Sequence, residues 1–138
     1  MEIFKYFQVM VRKNIPFDFV FDYLMALKVT VKPMFGVFTI YVNKRMVMAL
    51  RQREDHRETN GVWVAAEHEH LNSLKKELPS LQAISFFTKD NKETAWQVIP
   101  VDSGDFEETV RKVCELIVQG DPRIGKMPKP RKRKNKLE

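Results

Sequence analysis

Two short polar turns set between apolar runs constrain this chain most strongly: Asn43-Lys44-Arg45 and Asp90-Asn91. Five segments rich in β-branched, aromatic and other apolar residues flank or lie between these turns: Gly36–Val42, Met46–Gln52, Val62–Ala66, Ile84–Thr88 and Thr94–Ile99. Such runs on both sides of a tight turn are typical of β-hairpins, and Asn43 tolerates the left-handed conformation that the turn needs. The sequence therefore predicts an antiparallel sheet of about five strands.

Three further segments have apolar residues spaced by three and four, as amphipathic helices do. The first begins near Pro16, with Asn14 as its N-cap, and the second covers Glu67–Leu78. The third follows Asp102 as N-cap and ends at Gly120, the residue type that most often ends a helix. Helices that cover one antiparallel sheet make an α+β fold.

The excess positive charge lies at one end of the chain. Residues 121–138 hold eight basic and two acidic residues, a net charge of +6, which equals the net charge of all 138 residues. Residues 1–120 are therefore electrically balanced. We expect an N-terminal extension at 1–13, a folded domain at 14–120 and a disordered basic tail at 121–138.

The tail is the segment for which the sequence most favours a binding role. Its cationic run contains Lys129, Arg131, Lys132, Arg133, Lys134 and Lys136. Such runs attract nucleic-acid phosphates without sequence preference, because binding releases counterions. We therefore predict weak, non-specific nucleic-acid contact through these six side chains. A solubility tail and a nuclear-import signal are the alternatives.

No catalytic residue, cofactor site or metal site is predicted. The five glycines have no phosphate-loop spacing, and Cys114 lies on the apolar face of the third helix, where a thiol is inert. His68 and His70 lack a third ligand at a recognised spacing. The alternative hypothesis is a small-ligand binder or enzyme that uses His68 or His70 in a groove between the sheet and the second helix.

Aromatic residues in the predicted strands have two interpretations. Trp63, Trp96, Tyr41 and Phe38 would suit base stacking on an open sheet face. They alternate with valine, isoleucine and alanine, however, which favours packing against helices.

The expected location is the cytoplasm. The chain has a single cysteine, a leader-like N-terminus is absent, and no apolar run approaches the roughly 20 residues of a membrane span. Nucleic acid and a protein are the expected partners, a membrane is not, and both a monomer and a dimer fit the sequence.

The central segment resembles a known family. Val31-Lys32-Pro33-Met34-Phe35-Gly36, followed by Ile40–Met46, is similar to the opening of the TfoX/Sxy N-terminal domain, where an R/K-P-M-F-G turn precedes a hairpin. Thr94–Pro100 and Phe106–Ile117 resemble the closing strand and final helix of that domain and of the related YjbR/MmcQ-like proteins.

The resemblance covers about residues 15–120. It implies an α+β fold without enzyme activity or cofactor, and a stand-alone member of the family, because the second domain of the competence regulators has no counterpart here. The predicted function is accordingly a non-enzymatic binding or regulatory module.

Overall fold

The computed structural model describes residues 15–84 and 96–127, and these form an α+β fold. Six strands make one antiparallel sheet in the order β1-β2-β3-β4-β6-β5. They are β1 (Val29–Met34), β2 (Val37–Val42), β3 (Arg45–Arg51), β4 (Gly61–Ala65), β5 (Gln82–Ala83) and β6 (Trp96–Pro100). The α-helices of the described residues are α1 (Val20–Tyr23), α2 (His68–Glu77) and α3 (Phe106–Val118), and a 3-10 turn covers Arg57–Thr59.

The first predicted helix is much shorter than its apolar pattern. Only Val20–Tyr23 is α-helical, and a turn precedes it. Phe17 has φ +56, which an α-helix does not allow, and the run of aromatic and β-branched residues has weak helix propensity. The stripe still packs inward, because Val20, Phe21 and Leu24 are buried in the core. The predicted cap, Asn14, lies outside the described residues.

The hairpin predicted at Asn43 is confirmed. Asn43 and Lys44 have φ +52 and +69, the left-handed values of a two-residue turn whose twist matches that of the strands. A similar turn at Phe35 and Gly36 joins β1 to β2. The sequence missed β1, whose Pro33 disfavours a central strand but is tolerated here because β1 is an edge strand.

The antiparallel pairing of β5 with β6 lies where the second hairpin was predicted. Gln82 is opposite Val98, and Ala83 is opposite Gln97. The described strand ends just before the strand predicted at Ile84–Thr88, and residues 85–88 lie outside the described residues. The turn at Asp90-Asn91 lies outside the described residues.

The main core lies between one face of the sheet and the helices. From the strands it takes Ile40, Met48, Leu50, Val62, Val64 and Ile99. From the helices it takes Leu71 and Leu74 of α2, and Val110, Val113 and Cys114 of α3. The predicted inward position of Cys114 is confirmed.

Helix α3 begins later than predicted and ends as predicted. Asp105, not Asp102, occupies the N-cap position, and its carboxylate accepts a hydrogen bond from the Ser80 hydroxyl at 2.8 Å. At the other end Gly120 has φ +77. The Gly120 amide donates to Ile117, and the Asp121 amide donates to Leu116, which satisfies the last carbonyls of the helix.

The chain remains packed on the domain beyond Gly120, where the sequence placed the start of the tail. Ile124 is 4% exposed in the main core. The Gly125 amide donates to Ala65, and Lys126 exchanges two backbone hydrogen bonds with Met46, each of 2.9 Å. The chain is therefore packed on the domain at least as far as Lys126, six residues past the predicted boundary.

Candidate functional site: a cleft on the second face of the sheet

The helices described above cover one face of the sheet, and the other face carries a smaller apolar cluster. Successive side chains of a strand point to opposite faces, so the residues between the core positions of β2, β3, β4 and β6 meet here. The cluster contains Val37, Ala49, Trp63, Ile84 and Val98, with Trp96 packed against it.

An irregularity in β3 decides which of its residues face this side. The pairing with β2 shifts between Ile40 and Tyr41, so that β3 holds one extra residue there. Val47 and Met48 are consecutive, yet both are buried in the main core. A bulge of this kind reverses the alternation beyond it, and Met46 and Ala49, three residues apart, consequently lie on the second face.

A cleft of about 570 Å³ lies on this face. Its volume is in the range of about 300–1,000 Å³ that small-molecule sites occupy. Its lining is apolar along the strands and charged where β3 leaves the sheet. The lining residues are Met34, Phe35, Val37, Thr39, Met46, Ala49, Arg51, Arg53, Asp55, His56, Trp63 and Trp96.

Arg51 is the buried cation of the cleft, with 4% of its side chain exposed. Its guanidinium donates to the backbone carbonyls of Asp55 and His56 at 3.0 and 3.2 Å, and to the side-chain oxygen of Asn60 at 2.8 Å. It also contacts the Asp55 carboxylate at 3.1 Å. A buried charge is tolerated when it is paired and hydrogen-bonded in this way. Arg51 therefore fixes the loop that forms the charged end of the cleft.

Asn60 completes this loop. Its side chain accepts from the Arg53 amide at 2.9 Å and donates to the Arg53 carbonyl at 2.8 Å. Desolvation raises the pKa of Asp55, but backbone hydrogen bonding, the Arg53 hydrogen bond and the Arg51 charge outweigh it and hold this pKa below its usual value. The carboxylate stays ionised and balances one of the two arginines.

Trp63 forms the floor of the cleft. It is 5% exposed, and its indole N–H donates to the Thr59 carbonyl at 2.9 Å. The Trp96 ring lies 6.1 Å from the Trp63 ring, tilted by 59°, and Trp96 is half-buried. Trp63 is buried, as predicted, but it packs in the cluster on the second face of the sheet and not against the helices.

Phe35 and Arg53 stand at the mouth of the cleft. Phe35 is 95% exposed, and its φ of +52 is a conformation that favours glycine or asparagine. Such backbone strain costs about 1–3 kcal/mol for a residue of this kind. Gly36 follows with φ +84, and a Cβ there would lie 2.8 Å from the Arg53 guanidinium. Because Gly36 has no Cβ, the Arg53 guanidinium can lie against the Phe35-Gly36 turn.

The other predicted stacking residues lie apart from the cleft. Phe38 packs against the main core, on the opposite face of the sheet. Tyr41 is half-buried, and the Lys32 ammonium lies 5.1 Å from the centre of its ring.

The two histidines proposed for a ligand site do not line the cleft. His68 is exposed at the start of α2, and His70 is partly buried with its Nε2 3.4 Å from the Glu69 carboxylate. The inner side of α2 is filled by leucines of the core. Among residues 15–84 and 96–127, no cluster of three His, Cys, Asp or Glu side chains is suited to a metal ion.

The predicted phosphate-binding side chains, Lys129, Arg131, Lys132, Arg133, Lys134 and Lys136, lie outside the described residues. The structure does describe the residues that directly precede them. Lys126 is directly opposite Met46 in an antiparallel bridge. Opposed residues of such a pair point to the same face of a sheet. Lys126, two residues before the segment 128–138, therefore lies next to Met46 of the cleft.

Sequence reasoning missed the residues at the charged end of the cleft. It assigned no binding residue to Arg53–Thr59 and placed Phe35 in a turn motif. One signal was present: Arg51 is the one charged residue of the predicted strand Met46–Gln52, directly after its apolar run. The loop that surrounds Arg51 folds back from later in the chain, and no local pattern predicts it.

Comparison of the chain with protein-family models, with curated proteins and with solved structures gave no match. In the part of the chain that the structure describes, no helix has the length and apolar character to cross a bilayer.

Proposed function

We propose that this protein is a non-enzymatic binding module of the TfoX N-terminal type that contacts nucleic-acid phosphates through its basic C-terminal segment. The observation that carries the proposal is the separation of charge along the chain. Residues 128–138 contain six basic residues and one acidic residue, a net charge of +5, so residues 1–127 keep only +1. Because the rest of the chain has almost no net charge, attraction to phosphates would come from residues 128–138.

The packing of residues 121–127 supports this role. The Arg123 guanidinium contacts the carboxylates of Glu77 and Asp121 at 2.6 and 2.8 Å, so its charge is already neutralised within the domain. The Lys126 backbone is bonded to Met46. The six basic side chains that follow are thus tethered to a fixed point on the sheet.

The family part of the proposal is supported by the motif residues. Lys32, Pro33 and Met34 end the edge strand β1, and Phe35-Gly36 forms the turn into β2. The segment that resembles the final helix of the family lies in α3, against the sheet.

The test compares the full chain with a chain that ends after Met127. Fluorescence anisotropy with a labelled 12-nucleotide strand is measured across a salt series. If all six basic side chains meet phosphates, the full chain should show a slope of log affinity against log salt of about −4 for a single strand. The shorter chain should lose most of this slope.

Two controls test whether binding depends on the charge of residues 128–138, and not on their order or on an exposed cation elsewhere. A chain with residues 128–138 in shuffled order keeps the charge and should bind as the full chain does. Lys112→Ala removes one exposed cation from α3 and should leave binding unchanged. Equal binding by the full and shortened chains would rule out the proposed role of the segment.

A further inference from the structure

We propose that the cleft on the second face of the sheet is a stacking site for an unpaired base of single-stranded nucleic acid, with Phe35 as the ring on which the base stacks. The inference rests on the proposed function, because the basic segment would hold the phosphates of the same strand. It adds a contact that distinguishes single strands from duplexes.

The first argument is the state of Phe35. A large aromatic ring, 95% exposed, stands in a left-handed turn conformation that asparagine or glycine would adopt with less strain. Backbone strain that the fold does not require is typical of binding sites.

The second argument is the chemistry of the cleft. Met34, Met46 and Trp96 give the cleft, of about 570 Å³, an apolar lining. Arg53 stands at the mouth with half of its side chain exposed. A planar apolar surface with a guanidinium beside it suits a base with its neighbouring phosphate, because bases stack on aromatic rings and phosphates pair with arginine.

The third argument is position. Lys126 points to the same face as Met46, which lines the cleft. The six basic residues of the C-terminal segment follow Lys126 within ten residues of chain. A strand held by the segment would therefore have its bases within reach of Phe35. A duplex would not, because its bases are stacked inside the helix and do not present their faces.

The experiment replaces Phe35 by asparagine in the full chain. Asparagine suits φ +52, so Phe35→Asn should fold at least as stably as the natural protein. Affinity is measured by anisotropy with labelled dT12 and with a 12-base-pair duplex. Loss of one stacking contact should weaken dT12 binding by about fivefold or more, while duplex binding stays unchanged.

Two variants control the interpretation. Phe35→Trp keeps an aromatic surface and should restore binding of dT12. Tyr23→Asn removes an exposed aromatic ring from α1 and should have no effect.

The outcomes for the cleft and for the basic segment are distinguishable. If Phe35→Asn binds dT12 as the natural protein does, while the chain ending after Met127 loses binding, the stacking site is refuted and the phosphate contact stands. If Phe35→Asn weakens dT12 binding and the shortened chain binds normally, the stacking site stands and the role of the basic segment is refuted. If Phe35→Asn weakens both probes equally, the selectivity for unpaired bases is refuted.

Discussion

Removal of the Ile124 side chain should destabilise this protein substantially, although Ile124 lies in a segment that the sequence assigned to a disordered tail. The residue is 4% exposed and belongs to the main core. Its neighbour Gly125 donates a backbone hydrogen bond of 2.8 Å to Ala65. The substitution Ile124→Ala would leave a cavity between the end of α3 and the sheet.

The size of the effect follows from this burial. Replacement of a buried isoleucine by alanine costs about 2–5 kcal/mol, the larger values being found where the surroundings cannot relax. Ile124 lies in a bend outside the helices and strands, where the backbone can relax in part, so we expect about 3 kcal/mol. For a domain of this size that loss corresponds to a decrease in Tm of about 10 °C.

Urea unfolding followed by circular dichroism measures the free energy of unfolding. The midpoint should fall while the slope m stays unchanged, as it does when only stability is altered. Met127, three residues further on and 52% exposed, provides the matched control. Met127→Ala should change the free energy of unfolding by no more than about 0.5 kcal/mol.

Truncations give a second test of the same reasoning. A chain that ends after Met127 should be as stable as the full chain, and one that ends after Gly120 should lose at least as much stability as Ile124→Ala. The reasoning is refuted if the chain that ends after Gly120 unfolds at the same urea concentration as the full chain.

Three further predictions concern the rest of the fold. Gly61→Ala should destabilise the protein strongly, because Gly61 has φ +144 and a Cβ would collide with a backbone carbonyl of β6. Gly104→Ala is the control, since Gly104 has open space around it, and it should leave the free energy of unfolding in urea unchanged. Hydrogen bonds from Arg123 hold the pKa of Asp121 below its usual value. Ionised Asp121 therefore stabilises the fold above its unfolded pKa of about 3.9, and this contribution is lost as pH falls through the folded pKa. Asp121→Asn should lower stability at pH 7 and flatten its decline below about pH 5 in urea titrations at several pH values. Desolvation by burial raises the pKa of Cys114 to about 12, so a thiol reagent at pH 8 should modify this residue only in urea; rapid modification of the native protein would contradict its burial.

The strands and the last helix show how far local sequence predicts this protein. The turn at Asn43 and the end of α3 at Gly120 were predictable, because both depend on the backbone preference of one residue. The apolar face of α3 was predictable from its spacing of three and four. The order of the six strands was not, because it depends on pairings between distant segments.

The candidate site, by contrast, depends mainly on tertiary contacts that the sequence does not predict. The sequence alone determined the α+β class, the strand and helix faces, and the concentration of charge after residue 120. The tertiary structure decided that the bulge in β3 brings Met46 to the second face, that the loop closes around Arg51, and that residues 121–127 continue the fold. The physical reason is that each of these features depends on contacts between residues far apart in the chain, which no local periodicity records.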